Sequence, residues 1–181
     1  MARAKAKVKK PRKPMPPGRE AIVRNRPRVD LPPPTTGRRI VQAAIGATVL
    51  LAITTAVAAV DPRRLGGPAL AVALVMFFAG TGALIWSYLI AIGRSRESEI
   101  GLAGLYGLSG TAPTEVRVRL IGSAVAQVVI AGIGIAIRPF SNLAFGFLAV
   151  MWGIGLTGLW GARHGVFPPR AVAGTAGRAG R

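Results

Sequence analysis

The side chains that catalysis or metal binding would draw on are scarce in this chain. Its carboxylates are Glu20, Asp30, Asp61, Glu97, Glu99 and Glu115, its only imidazole is His164, and it has no Cys. Without a thiol there is no disulfide framework, thiolate metal site or cysteine nucleophile, and one His excludes a site needing two imidazoles in one subunit. No spacing matches H-E-x-x-H, a Ser/His/Asp set or the phosphate loop G-x-x-x-x-G-K-[ST]. The ionisable groups that remain have simpler roles. Asp61 stands before Pro62 and Arg63-Arg64, as a turn residue with local charge partners does. His164 follows Arg163 at the end of an apolar stretch, where a cation favours the negative end of a helix. Glu97, Glu99 and Glu115 share their segment with Arg94, Arg96, Arg117 and Arg119, so solvated ion pairing is expected. The sequence therefore predicts a protein that is not an enzyme and holds neither cofactor nor metal.

The elements behind these residues follow from charge and hydropathy. The 181 residues carry a formal net charge of +18, yet 51% are hydrophobic and the mean hydropathy is +0.45. Basic nucleic-acid binders and basic disordered chains are poor in apolar residues, so here the two properties must occupy different parts of the chain. They do. Residues 1–39 hold 13 of the 24 basic side chains and eight of the 14 prolines. Proline removes backbone donors and like charges repel, so residues 1–38 read as a disordered polybasic tail. Lys5, Lys7, Lys9, Lys10, Arg12 and Lys13, with Arg38 and Arg39 beside the first apolar run, are the expected contacts to anionic lipid. Nucleic acid is the poorer partner, because this segment has no aromatic side chain to stack on bases. A second disordered tail is expected over 165–181.

Four apolar runs follow, uncharged over 40–60, 65–93, 120–137 and 139–162. A hydrocarbon core about 30 Å thick needs roughly 20 helical residues, and helices of a soluble protein would show a charged face. The expectation is an all-α integral membrane protein with four transmembrane helices at about 40–60, 68–93, 118–137 and 141–162. Short connections at 61–67 and 138–141 force two antiparallel hairpins. Pro113 and Glu115 suit the start of the third helix, and Ser141 or Asn142 can cap the fourth. With both termini in the cytoplasm, 21 basic residues lie inside and only Arg63, Arg64 and Arg138 outside. The Arg bias after residue 13 and the abundance of Ala, Gly and Val point to a bacterial inner-membrane protein. Arg38-Arg39 before a run ending in Ala56-Val57-Ala58 also resembles a signal peptide, but its charged region is too long.

None of the spans contains an ionisable side chain; their polar members include Gln42, Thr48, Thr55, Ser87, Ser123, Gln127 and Thr157. Interhelical hydrogen bonding is their expected role, with Gln42 and Gln127 one conceivable pair. Thr48 and Thr55 lie seven apart, the only hint of a polar helix face. Glycine is the more conspicuous feature. Gly80, Gly82, Gly122, Gly153, Gly155, Gly158 and Gly161 are expected to let helices approach closely, within the chain or in a homo-oligomer. Val75-Met76-Phe77 with Gly80 matches Val150-Met151-Trp152 with Gly155 at an offset of 75 residues, as two hairpins related by an axis along the membrane normal would. Leu102, Leu105 and Leu108, spaced by glycines, belong either to a helix lying on the membrane or to a loop packed back on the bundle. The function expected from all this is an accessory or scaffold component of a membrane complex. A small oligomeric transporter or channel is the alternative, one whose pathway forms only on oligomerisation.

Overall fold

The computed structural model describes residues 30–169. Helix α1 spans Arg38–Val60 and α2 spans Pro62–Arg94, followed by a single turn, α3 (Leu102–Leu105). Helix α4 covers Thr114–Ile137, and a 3-10 segment, Asn142–Ala149, runs directly into α5, Val150–His164. Among the described residues there is no strand, only an isolated bridge between Ser98 and Pro169. Four helical stretches are long and apolar enough to cross a membrane: 38–60, 62–94, 114–137 and 142–164. The protein is an all-α membrane protein.

The helix boundaries have local causes. Asp61 alone joins α1 to α2, because Pro62 can start a helix and the Asp61 carboxylate accepts from the Arg64 amide at 3.2 Å. Ser141 caps the fourth span by accepting from the Leu143 amide at 3.3 Å. The first three spans begin earlier than the uncharged runs, and the second and fourth end later, since Arg38, Arg94, Arg117 and Arg163 are helical too. Their long side chains reach past the apolar layer while the backbone stays hydrogen-bonded.

In cross-section the spans follow the order first, second, fourth, third. The parallel pairs α1–α4 and α2–α5 are neighbours, α1 also meets α5, and α2 and α4 do not touch. A two-fold axis exchanging the hairpins would require those last two relations to be alike, so the arrangement expected from the 75-residue offset is corrected. The fourth span is the hub: 56% of its most apolar 18-residue stretch is buried, against 17%, 17% and 28% in the others. In α1 the inward positions are Val41, Ala44, Thr48, Leu51, Thr55 and Ala58, a 3–4 alternation that keeps one seam facing α4 and α5.

The two ends of the bundle differ. Residues 30–37, the 95–113 connection and residues 165–169 meet at one end, the terminal end. There Leu108, Ala112, Val116, Leu120, Leu156 and Trp160 form one core cluster with Val41 and Ala44. Two boundary expectations change here. Gly165 and Phe167 are buried, and Val166 donates to the Thr111 carbonyl at 3.1 Å, so the C-terminal tail does not begin at 165. Asp30–Gly37 likewise belongs to the described structure, whereas the rest of the N-terminal tail lies outside it.

Candidate functional site

The residues singled out by type gather on α5. Gly80 and Gly155, equivalent under the 75-residue offset, sit at one crossing of α2 and α5. A Cβ on Gly80 would strike the Met151 carbonyl and the Trp152 nitrogen, and one on Gly155 would strike the Gly80 carbonyl. Backbone meets backbone there, so no side-chain rotation can make room. Gly153 faces α4, where an added Cβ would stand 2.8 Å from the Ala124 Cβ. Further along, a Cβ on Gly158 would lie 2.5 Å from the Tyr106 ring and 2.9 Å from Ser87 Oγ, and one on Gly161 would strike the Leu105 carbonyl. Five glycines thus bring three helices and the middle connection to near backbone contact. Gly82 and Gly122 do not pack within the chain: nothing within 4 Å surrounds an added Cβ at either, and both face outward. The offset in phase explains it, because two residues along an α-helix turn a side chain by about 200°.

The buried polar groups form a knot in the middle of the bundle. Gln127 is 0% exposed; its Nε2 donates to Thr48 Oγ1 at 2.9 Å, and its Oε1 accepts from the Gly153 amide at 3.2 Å. Thr48 passes its own proton to the Ala44 carbonyl at 2.8 Å. The amide therefore ties α4 to α1 and to the start of α5, where 3-10 turns give way to α-helix. Gln42 is exposed and is not its partner. The Thr55 methyl group lies 3.0 Å from a Cβ placed on Gly134, in the same seam, and the residue also lines an outward groove between α1 and α4. Thr81 Oγ1 is the single buried side-chain polar atom without a partner among the described residues.

The terminal end is closed by side chains that cap open backbone groups. Arg94, the last residue of α2, donates to the Ala162 and Gly165 carbonyls at 2.6 and 3.0 Å. Its guanidinium lies 5.6 Å over the Phe167 ring, so one charge answers the negative end of α5 and holds the chain that follows. Trp160, fully buried, donates from Nε1 to the Thr36 carbonyl at 3.1 Å. Gly37 follows with φ 69°, where an added Cβ would lie 2.7 Å from the Trp160 ring, so both backbone and space demand glycine. The 95–113 connection is packed back on the bundle: Leu105 and Leu108 are buried, while Leu102 is 74% exposed. Leu108 keeps a left-handed φ of 50°, a strain its complete burial maintains.

Two acidic groups take the local roles their neighbours dictate, whereas Glu97 and Glu99 form no ion pair among the described residues. Asp61 pairs with Arg64 at 3.8 Å and Glu115 with Arg119 at 2.6 Å, both pairs exposed. His164 lies beside Trp160, with ring centroids 5.7 Å apart and the ring planes tilted by 53°. No group of three or more His, Asp or Glu side chains that could hold a metal occurs among the described residues. Of the lipid-contact candidates, Arg38 and Arg39 are exposed in the first turn of α1, and Lys5, Lys7, Lys9, Lys10, Arg12 and Lys13 lie outside the described residues. Sequence reasoning missed Arg94 as a cap and Trp160 as a donor. The signal was weak, an Arg just past an apolar run and a Trp two turns after another.

The fold and this geometry define a class, the multi-span helical membrane proteins with a glycine-packed centre. Comparison takes the assignment no further: no family model, no curated protein and no solved structure matches the chain.

Proposed function

We propose that this chain is a non-catalytic protein of the bacterial inner membrane with both termini in the cytoplasm, serving as an accessory or scaffold component of a larger membrane complex. The carrying observation is the filled centre. Helix α5 is pressed to backbone distance against α2, and its Gly161 against the α3 turn, while the buried Gln127 is hydrogen-bonded on both sides. A solid bundle supports a role played at its outer surface. Glycines Gly46, Gly82, Gly122 and Gly132 leave shallow notches on three outward helix faces, which suits close approach by a partner helix or a second copy. Orientation is argued from the basic residues, which favour the terminal end as the cytoplasmic one. The basic tail together with Arg38 and Arg39 then meets anionic lipid on that side, each charge contributing about 1 kcal/mol near the surface.

The alternative is a small oligomeric transporter or channel. It needs a pathway between copies, because Thr48 is hydrogen-bonded to Gln127 within the α1–α4 seam. Affinity purification in mild detergent, followed by reconstitution of whatever co-purifies, separates the two readings. A stoichiometric membrane-protein partner supports the scaffold. A homo-oligomer that carries solute across proteoliposomes overturns it.

A further inference from the structure

At the end of the bundle opposite the terminal one, α1 and α4 leave an outward groove of about 250 Å³ between them. One wall is Ala52, Ala56 and Ala59 with Thr55 between them, and the other is Ile130, Ile133 and Ile137. Small side chains recur at intervals of three and four on α1, opposite branched ones on α4, so the valley runs along the helices rather than across them. From Ala52 to Ala59 it extends about 10 Å at 1.5 Å per residue. The volume falls below the roughly 300–1,000 Å³ of sites that enclose compact small molecules. An open apolar channel of this width and direction suits a single extended hydrocarbon chain.

The mouth of the groove is charged. Arg138, one residue past the end of α4, reaches across to α1 and donates from Nη2 to the Ala59 carbonyl at 3.3 Å. Its guanidinium is thus anchored above a residue that lines the groove. The only ion pairs among the described residues are Arg64–Asp61 and Arg119–Glu115, so Arg138 has no carboxylate there. We propose that this groove is a binding site for an anionic phospholipid of the adjacent leaflet, with one acyl chain between the alanine and isoleucine walls and the phosphate on Arg138. The bound end of the lipid stands at the water interface, where the remaining Arg donors are free to take phosphate oxygens in the forked geometry that guanidinium favours.

The chain has no Cys, so a fluorophore on Val60→Cys, 83% exposed beside the groove, reports on this leaflet alone. The intact protein in nanodiscs is titrated with phosphatidylglycerol or phosphatidylcholine carrying brominated acyl chains that quench the fluorophore. Phosphatidylglycerol should reach half-quenching at about one fifth the mole fraction of phosphatidylcholine, the worth of one basic residue beside an anionic surface. Arg138→Gln should bring that ratio near one, and Arg138→Lys should retain most of it. Ala56→Phe fills the groove and should weaken quenching by both lipids. A wild-type ratio near one, an unchanged ratio in Arg138→Gln, or unchanged quenching in Ala56→Phe overturns the proposal.

Discussion

Gly80 and Gly82 stand two residues apart on α2, and the same substitution should move the protein in opposite directions at the two sites. At Gly82 an added methyl meets nothing within 4 Å, so only the backbone effect acts. Alanine is favoured over glycine in a helix by about 1 kcal/mol, and Gly82→Ala should stabilise by up to that amount. At Gly80 the same gain is present, but the methyl must displace the Met151 carbonyl and the Trp152 nitrogen on α5. Overpacking a fixed site costs about 1–3 kcal/mol, and parting two helices by 0.5–1 Å also forfeits a quarter to a half of each dispersion contact along the crossing. The loss outweighs the gain, and Gly80→Ala should destabilise by about 1–2 kcal/mol net. Reversible unfolding in mixed micelles, with sodium dodecyl sulfate as denaturant, measures both variants. The fluorescence of Trp86, Trp152 and Trp160 provides the signal. If both variants shift the midpoint the same way, or if Gly80→Ala matches wild type, the backbone crossing has been misplaced and the argument fails.

Three further outcomes are expected. Gln127→Leu removes two hydrogen bonds, each worth about 0.6 kcal/mol on average within a bilayer, and leaves the Gly153 amide short of an acceptor. A loss of about 1–2 kcal/mol in the same unfolding assay is expected, with faster amide exchange at Gly153; no change in either would mean that water already serves these groups. Arg94→Ala uncovers two carbonyls at the end of α5, and charge-assisted bonds of this kind are worth about 1.5–3 kcal/mol each. Limited proteolysis should then cut within residues 165–169 well before the bundle unfolds, and a wild-type cleavage pattern would count against the cap. Trp160→Phe keeps the ring but drops the donor to Thr36, so exchange should rise by about fivefold at Arg38–Ile40, the scale of a 1 kcal/mol hydrogen bond, while α2 stays protected.

What the sequence revealed, and what it withheld, divides along physical lines. The spans were legible because transfer to hydrocarbon is additive along the chain, so uncharged runs report themselves. Capping by Ser141 was legible because it is local, whereas Asp61 reads as a turn residue of a 61–67 connection and instead caps a helix that starts at Pro62. The glycines were recognised as a set, yet only the fold separates Gly80, Gly153, Gly155, Gly158 and Gly161 from the outward Gly82 and Gly122. Helical phase relative to a neighbour depends on packing, which one sequence does not encode position by position. Gln127 was visible as a polar residue in a span, but its partners were not, since Thr48 lies 79 residues earlier in the chain and Gly153 lies 26 residues later. The repeat at an offset of 75 was real as a spacing and misleading as a symmetry. It brings Gly80 to Gly155, while α1 meets α5 and α2 does not meet α4.

The single-residue connection at Asp61 constrains how the protein is made. With nothing between Val60 and Pro62 to form a loop, the first two spans turn back on each other within one residue and form a pair from the outset. That pair presents Gly80 as a bare strip of backbone until the ribosome has delivered α5, 70 residues later in the chain. For several seconds, at 5–20 residues per second, the newborn protein holds an open berth for a helix not yet synthesised. Anything small and apolar drifting past in the membrane competes for it.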